Sequence, residues 1–227
     1  MLYYIKNVNL YLFLILGLFL NIYSASSNSH EIKPSIADFT YNENYLNFRI
    51  RLNAELILSK IDASKVSNTD SSSLSETYDK FRVLESINLE QIFQNSWDEI
   101  SSNIDIKINN ESKQINLIKI KVENIKNFEI SRNTNVYFRV LLDNNSEQFT
   151  FKWSKNYGPI ILRENNNNKS ENELVTEYLQ SGIISNQISF KENNFSNILN
   201  SFSKFFVLGV QHIIPKGLDH ILFIFGL

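Results

Sequence analysis

The chain has 227 residues, a formal net charge of −2 and no cysteine. That length allows one or two domains with a sizeable core, and the charge excludes a strongly basic nucleic-acid binder, which needs a basic excess to neutralise phosphates. The absence of cysteine excludes a disulfide scaffold, a thiolate zinc site and thiol chemistry, and with 6 glycines in all there is no glycine-rich phosphate loop.

The chain opens with Lys6 and an apolar run over 8–22, followed by the small residues Ser24, Ala25, Ser26, Ser27 and Ser29. A positive start, a short apolar core and small residues read as a secretory signal peptide over residues 1–29. The run is shorter than the ~20 residues that a spanning helix needs. Cleavage after Ser26 or after Ser29 satisfies the small-residue rule equally. Cleavage after Ser29 makes His30 a new N-terminus, whose α-amine and imidazole can chelate a divalent metal. Cleavage after Ser26 leaves His30 an ordinary exposed residue.

Residues 30–194 read as an extracytoplasmic, mainly β domain. Leu46, Phe48, Ile50 and Leu52 alternate with Asn47, Arg49 and Arg51, and Ile104, Ile106 and Ile108 alternate with Asp105 and Lys107. Ile118, Ile120 and Val122 alternate with Lys119 and Lys121; Val136, Phe138, Val140 and Leu142, then Phe149, Phe151 and Trp153, repeat the pattern. Period-two alternation predicts strands with one buried face, and short strands separated by Asn-rich turns predict an antiparallel sandwich. A helical insertion interrupts it: a short helix over 54–60, and mixed helical spacing over 75–100 that predicts two helices. The polar stretches 64–75 and 165–173 read as loops.

Residues 195–227 read as an interfacial helix and the start of a first transmembrane helix. Phe195, Ile198, Leu199, Phe202, Phe205 and Phe206 form an apolar stripe at helical spacing. A helix over 218–227 would rise about 15 Å, half of a ~30 Å hydrocarbon core, so the expectation is a fragment whose further membrane helices follow. Two of the three histidines, His212 and His220, lie here with Asp219. Ionisable groups at membrane depth are costly and are retained for function, and imidazole and carboxylate suit nickel, zinc or cobalt. On an unbroken helix the two histidines would point ~80° apart. Pro215 and Gly217 predict a break that folds them together. In the alternative, Asp219 caps the next helix and the histidines pack at headgroup level.

The stretch Gly209-Val-Gln-His-Ile-Ile-Pro-Lys-Gly-Leu-Asp-His-Ile-Leu-Phe resembles the first membrane segment of the HupE/UreJ family, multi-helix membrane proteins linked to nickel supply for hydrogenases and ureases. Upstream, Ser29-His-Glu-Ile-Lys-Pro-Ser-Ile, Asn53-Ala-Glu-Leu-Ile-Leu-Ser-Lys-Ile-Asp, Tyr78-Asp-Lys-Phe-Arg, Trp153 with Tyr157-Gly-Pro-Ile-Ile-Leu-Arg, and Tyr178-Leu-Gln-Ser-Gly resemble the outer region of one branch. The resemblance implies a non-enzymatic membrane protein of a bacterial inner membrane, with its N-terminal domain on the periplasmic side. It implies His212, Asp219 and His220 as metal ligands, with nickel or another divalent metal as a transported ion and no tightly bound cofactor. It also implies membrane lipid, the metal ion and hydrogenase or urease maturation proteins as partners, and no nucleic acid. The spacer between His212 and Asp219 is six residues here against five in the nickel-permease form, and Lys216 within it disfavours a second cation. A membrane-anchored extracytoplasmic binding domain without transport activity is the rival reading.

Overall fold

The computed structural model describes residues 31–125, 132–166, 169–170 and 174–190. The signal-peptide reading over 1–29, His30, the stripe from Phe195, and His212, Asp219 and His220 lie outside the described residues. No described helix is long and apolar enough to cross a membrane.

In chain order, the strands are β1 (Ser35–Tyr41), β2 (Tyr45–Leu52), β3 (Asp105–Ile108), β4 (Glu111–Ser112), β5 (Asn116–Val122), β6 (Thr134–Leu141), β7 (Gln148–Lys152), β8 (Ile160–Glu164), β9 (Thr176–Leu179) and β10 (Ile188–Ser189). The helices are α1 (Ala54–Leu58), α2 (Ser75–Arg82), α3 (Ser86–Asn95) and α4 (Trp97–Ser101). The strands build a six-stranded sheet, β5-β6-β2-β1-β8-β9, and a four-stranded sheet, β10-β7-β3-β4. The fold is therefore mainly β, with a helical insertion between β2 and β3.

Local chemistry starts the larger sheet. Asn42 Oδ1 accepts from the backbone N–H groups of Asn44 and Tyr45 at 3.0 and 2.9 Å, an Asx turn that closes the β1–β2 hairpin. Alternation then sends Leu46, Phe48, Ile50 and Leu52 inward, all buried. Phe39 and Phe48 meet Phe149 of the smaller sheet at ring-centroid distances of 5.1 and 6.1 Å, so the two sheets face each other across an aromatic core. At the β5–β6 end the helices take over this cover: Trp97 packs on Phe138 at 5.9 Å, within one core cluster that includes Leu89, Phe93 and Ile100.

Three sequence expectations are corrected. The six-stranded sheet is mixed, because β1 and β8 run parallel from Ser35↔Ile160 to Phe39↔Glu164. After β2 the chain builds the helices, β3 and β4, then β5 and β6 of the larger sheet, crosses to β7 of the smaller one and comes back through the turn at Lys155–Tyr157. It returns at the end where β1 begins, with the Ser35 N–H donating to the Pro159 carbonyl at 3.0 Å. Ile118 is not inward: a register shift between Leu117 and Lys119 turns it out, 53% exposed, while Ile120 and Val122 stay buried. The stretch 75–100 holds three helices rather than two, broken at 83–85 and at Ser96, whose hydroxyl donates back to the Ile92 carbonyl at 3.0 Å and competes with helix continuation.

Two positions in this region accept glycine alone without strain. Gly158 has φ +84° and a Cβ there would sit 3.1 Å from the Ala63 Cβ; Gly182 has φ +81° and a Cβ would sit 3.0 Å from the Lys155 Cβ.

Candidate functional site: a cationic sheet face

The inner face of the six-stranded sheet is occupied by the core, so its other face is what the sheet presents. Alternation and register define that face. Tyr45, Asn47, Arg49 and Arg51 of β2 stand beside Asn135, Tyr137, Arg139 and Leu141 of β6. Ile36, Asp38 and Thr40 of β1 flank them on one side, and Lys119 and Lys121 of β5 on the other. Ile161 and Arg163 of β8, then Thr176 and Tyr178 of β9, continue it. Six cations thus share this face with a single strand carboxylate, Asp38, in a chain whose net charge is −2. Just past β5, Glu123 accepts from Asn133 at the rim.

These cations are held in place. Asp38 is 6% exposed, beneath Arg49 and Arg163, which are its direct cross-strand neighbours. Arg49 donates from Nε and Nη2 to Asp38 Oδ2 at 3.2 and 2.5 Å. Arg163 donates from Nε to Asp38 Oδ1 at 2.7 Å. The hydrogen bond to Asp38 holds the Arg49 guanidinium above its ordinary pKa, against some loss from burial. One carboxylate therefore fixes two arginines while compensating one charge. On the adjacent strands, Lys119 Nζ lies 4.6 Å from the Tyr137 ring centroid, and the Arg139 guanidinium 4.3 Å from that of Tyr45, both within cation–π range. The arrangement can present fixed positive charge and guanidinium donors to phosphate, sulfate or carboxylate oxygens.

A second feature lies at the helical end. Ile57, Lys60, Glu99, Asn103 and Tyr157 line a groove of about 260 Å³, spanned by a 2.8 Å Lys60–Glu99 ion pair. Burial, and after it the nearby Glu99 charge, push the Tyr157 hydroxyl up to about 12, against a hydrogen bond with Asn103. An acid with a raised folded-state pKa lends stability that is complete below the unfolded value and is lost as pH rises through the folded one. Absorbance titration should show one tyrosine ionising near pH 12, absent in Tyr157→Phe. The wild-type advantage over that variant should shrink between about pH 10 and 12, by roughly 2 kcal/mol at most.

The ligands expected from sequence, His212, Asp219 and His220, lie outside the described residues, and among the described residues no group of three or more His, Cys, Asp or Glu is placed to hold a metal. Sequence reading missed the cationic face. Its signal was present as outward Arg49, Arg51, Lys119 and Lys121, but alternation assigns faces strand by strand and does not say which strands are neighbours.

What the fold defines is a mainly β, two-sheet domain that carries a cationic sheet face. No protein-family model matches the chain, and no curated protein matches it.

Proposed function

We propose that the chain comprises the extracytoplasmic domain and first membrane-entering segment of a HupE/UreJ-type membrane protein that takes up or supplies a divalent metal, nickel foremost. The observation that carries this reading is that the outer-region motif patches, each weak alone, meet in space. Asn53 caps α1 by accepting from the Leu56 N–H at 2.9 Å and donates to the Tyr78 hydroxyl at 3.0 Å. Tyr157 lines a groove with Ile57 and Ile61, and Ile161 of β8 pairs with Tyr178 of β9. Residues dispersed over 53–178 thus build one end of the domain, as expected if the patches are retained together. In this reading His212, Asp219 and His220 hold the metal on its way through, as neutral imidazoles and a carboxylate with coordination positions left open.

The test is nickel and cobalt accumulation by cells carrying the complete protein. The variant His212→Ala/His220→Ala should lose accumulation at unchanged membrane level, and Gln211→Ala should keep most of it. Uptake by wild type should weaken as pH falls through the histidine range near 6.5, since protonated imidazole is not a ligand. Undiminished uptake by the double variant would remove the transport reading. It would leave the membrane-anchored binding domain, which the cationic face favours.

A further inference from the structure

We propose that the cationic face of the six-stranded sheet docks on an anionic phospholipid surface, its arginines and lysines on lipid phosphates and its tyrosines at headgroup depth. The proposal rests on the reading above only in placing the domain beside a membrane.

The charge is laid out over an area rather than along a line. Neighbouring strands lie ~4.8 Å apart and every second residue of a strand ~6.8 Å along it, so cations on β5, β6, β2 and β8, with β1 supplying Asp38 between the last two, form a grid about 19 Å wide. A twist of ~20–25° per strand confines flat contact to three or four neighbours. The central strands β6 and β2 carry Arg139, Arg49 and Arg51 together with Tyr45 and Tyr137. A linear polyanion would use one row of such a grid; a lipid surface meets the rows of three or four neighbouring strands at once.

The composition suits an interface as well. Leu141 and the bulged Ile118 are 59% and 53% exposed, and Ile36, Ile161 and Tyr178 share the face with the cations. Tyrosines and aliphatic side chains among arginines and lysines are the mixture that settles at the boundary of headgroups and acyl chains. Preorganisation lowers the cost of docking: Asp38, Tyr137 and Tyr45 already hold four of the cations, so less side-chain freedom is lost on contact. The chain also has the reach. From Phe190 at the edge of the smaller sheet to Phe195, where the apolar stripe begins, there are four intervening residues, enough to span up to about 17 Å. The two sheet layers stand only ~10 Å apart.

The absence of cysteine makes the test clean. Asn135→Cys lies on the face between Arg51 and Lys121, and Lys152→Cys lies on β7 of the opposite sheet. Each is labelled with an environment-sensitive fluorophore in the full chain. The chain is reconstituted in nanodiscs of phosphatidylcholine alone or mixed equally with phosphatidylglycerol, and quenched with neutral acrylamide. The expected result is a blue shift and clear protection at Asn135→Cys in the anionic discs only, with no difference at Lys152→Cys. Adding Arg51→Gln/Lys121→Gln should lower the docking equilibrium constant about five-fold per cation, roughly 25-fold in all, and raised salt should weaken docking of wild type. Equal signals in both discs, or protection undiminished by the double substitution in a variant that melts like wild type, would overturn the docking. Entry of the chain into the discs would still uphold the tether. A chain that ignores neutral discs yet binds phosphatidylglycerol vesicles through this face would overturn the tether and uphold the docking. Stronger protection of Asn135→Cys by a single-stranded oligonucleotide than by phosphatidylglycerol would overturn lipid as the occupant.

Discussion

Replacing Arg132 by methionine is expected to cost about 3–5 kcal/mol of stability, because it strips the partner from a buried charge. The side chains of Arg132 and Glu55 are each 2% exposed, and Arg132 Nε donates to Glu55 Oε1 at 2.5 Å. The same guanidinium donates through Nη1 to the Leu84 carbonyl at 2.7 Å and through Nη2 to the Phe81 carbonyl at 2.9 Å. One side chain thus ties the start of α1 to the end of α2, and its loss leaves one buried and two part-buried acceptors short at once. The other Glu55 oxygen, Oε2, has no partner among the described residues. Burial pushes the Glu55 carboxyl up from its ordinary value even against Arg132. Without Arg132 the shift grows, and a raised folded-state pKa gives stability that is complete in acid and lost as pH rises past the ordinary carboxylate range. The deficit of Arg132→Met should therefore be smallest in acid and widen toward neutrality. Urea unfolding at both ends of that range measures it. Near neutrality, a melting temperature lower by roughly 10–15 °C is the matching thermal result. Glu55→Gln/Arg132→Met should recover part of the loss, since no unpaired charge then remains. A deficit under ~1 kcal/mol at neutral pH would mean that the pair is not what joins these helices.

That pair also shows where sequence reading stops. Glu55 and Arg132 are 77 residues apart, and neither sits in a pattern that distinguishes it from a solvated charge. Alternation in β2 needs no partner to be read, since a strand with one buried face must place Leu46, Phe48, Ile50 and Leu52 together. The pairing of β1 with β8 is a different matter, because it depends on where the chain returns after its excursion to β7 in the second sheet. Asp38 carries the same lesson: in sequence it is an ordinary outward residue between Ala37 and Phe39, and only the register gives it Arg49 and Arg163. Ile118 failed because one extra residue in β5 inverts a face without leaving a mark on composition. The cationic face needed strand order for the same reason, whereas the proposal of His212, Asp219 and His220 as ligands rests on a local motif and the resemblance it carries.

Phe48→Ala should be comparably costly, about 3–5 kcal/mol, by opening a cavity where the two sheets meet. Phe48 is 3% exposed. Its ring lies 6.2 Å from Phe39 of β1 and 5.1 Å from Phe138 of β6, and 6.1 and 5.5 Å from Phe149 and Phe151 of β7. The alanine variant therefore loses contacts within its own sheet and across to the other sheet together. Phe48→Leu keeps most of the volume and should cost clearly less, and Val83→Ala, at a site 63% exposed, should stay within about 0.5 kcal/mol of wild type. Phe48 and Phe149 share one cavity, so Phe48→Ala/Phe149→Ala should cost less than the two single losses added, by roughly 1 kcal/mol or more. Strict additivity in that cycle would mean that the two rings do not stabilise each other. A loss at Phe48→Ala no larger than at Val83→Ala would place the weight of sheet-to-sheet packing elsewhere. Arg49 and Arg51 follow Phe48 on the same strand and face away from its side of the sheet, so a folded Phe48→Leu protein should retain the spacing of the cationic face even as the core beneath it loosens.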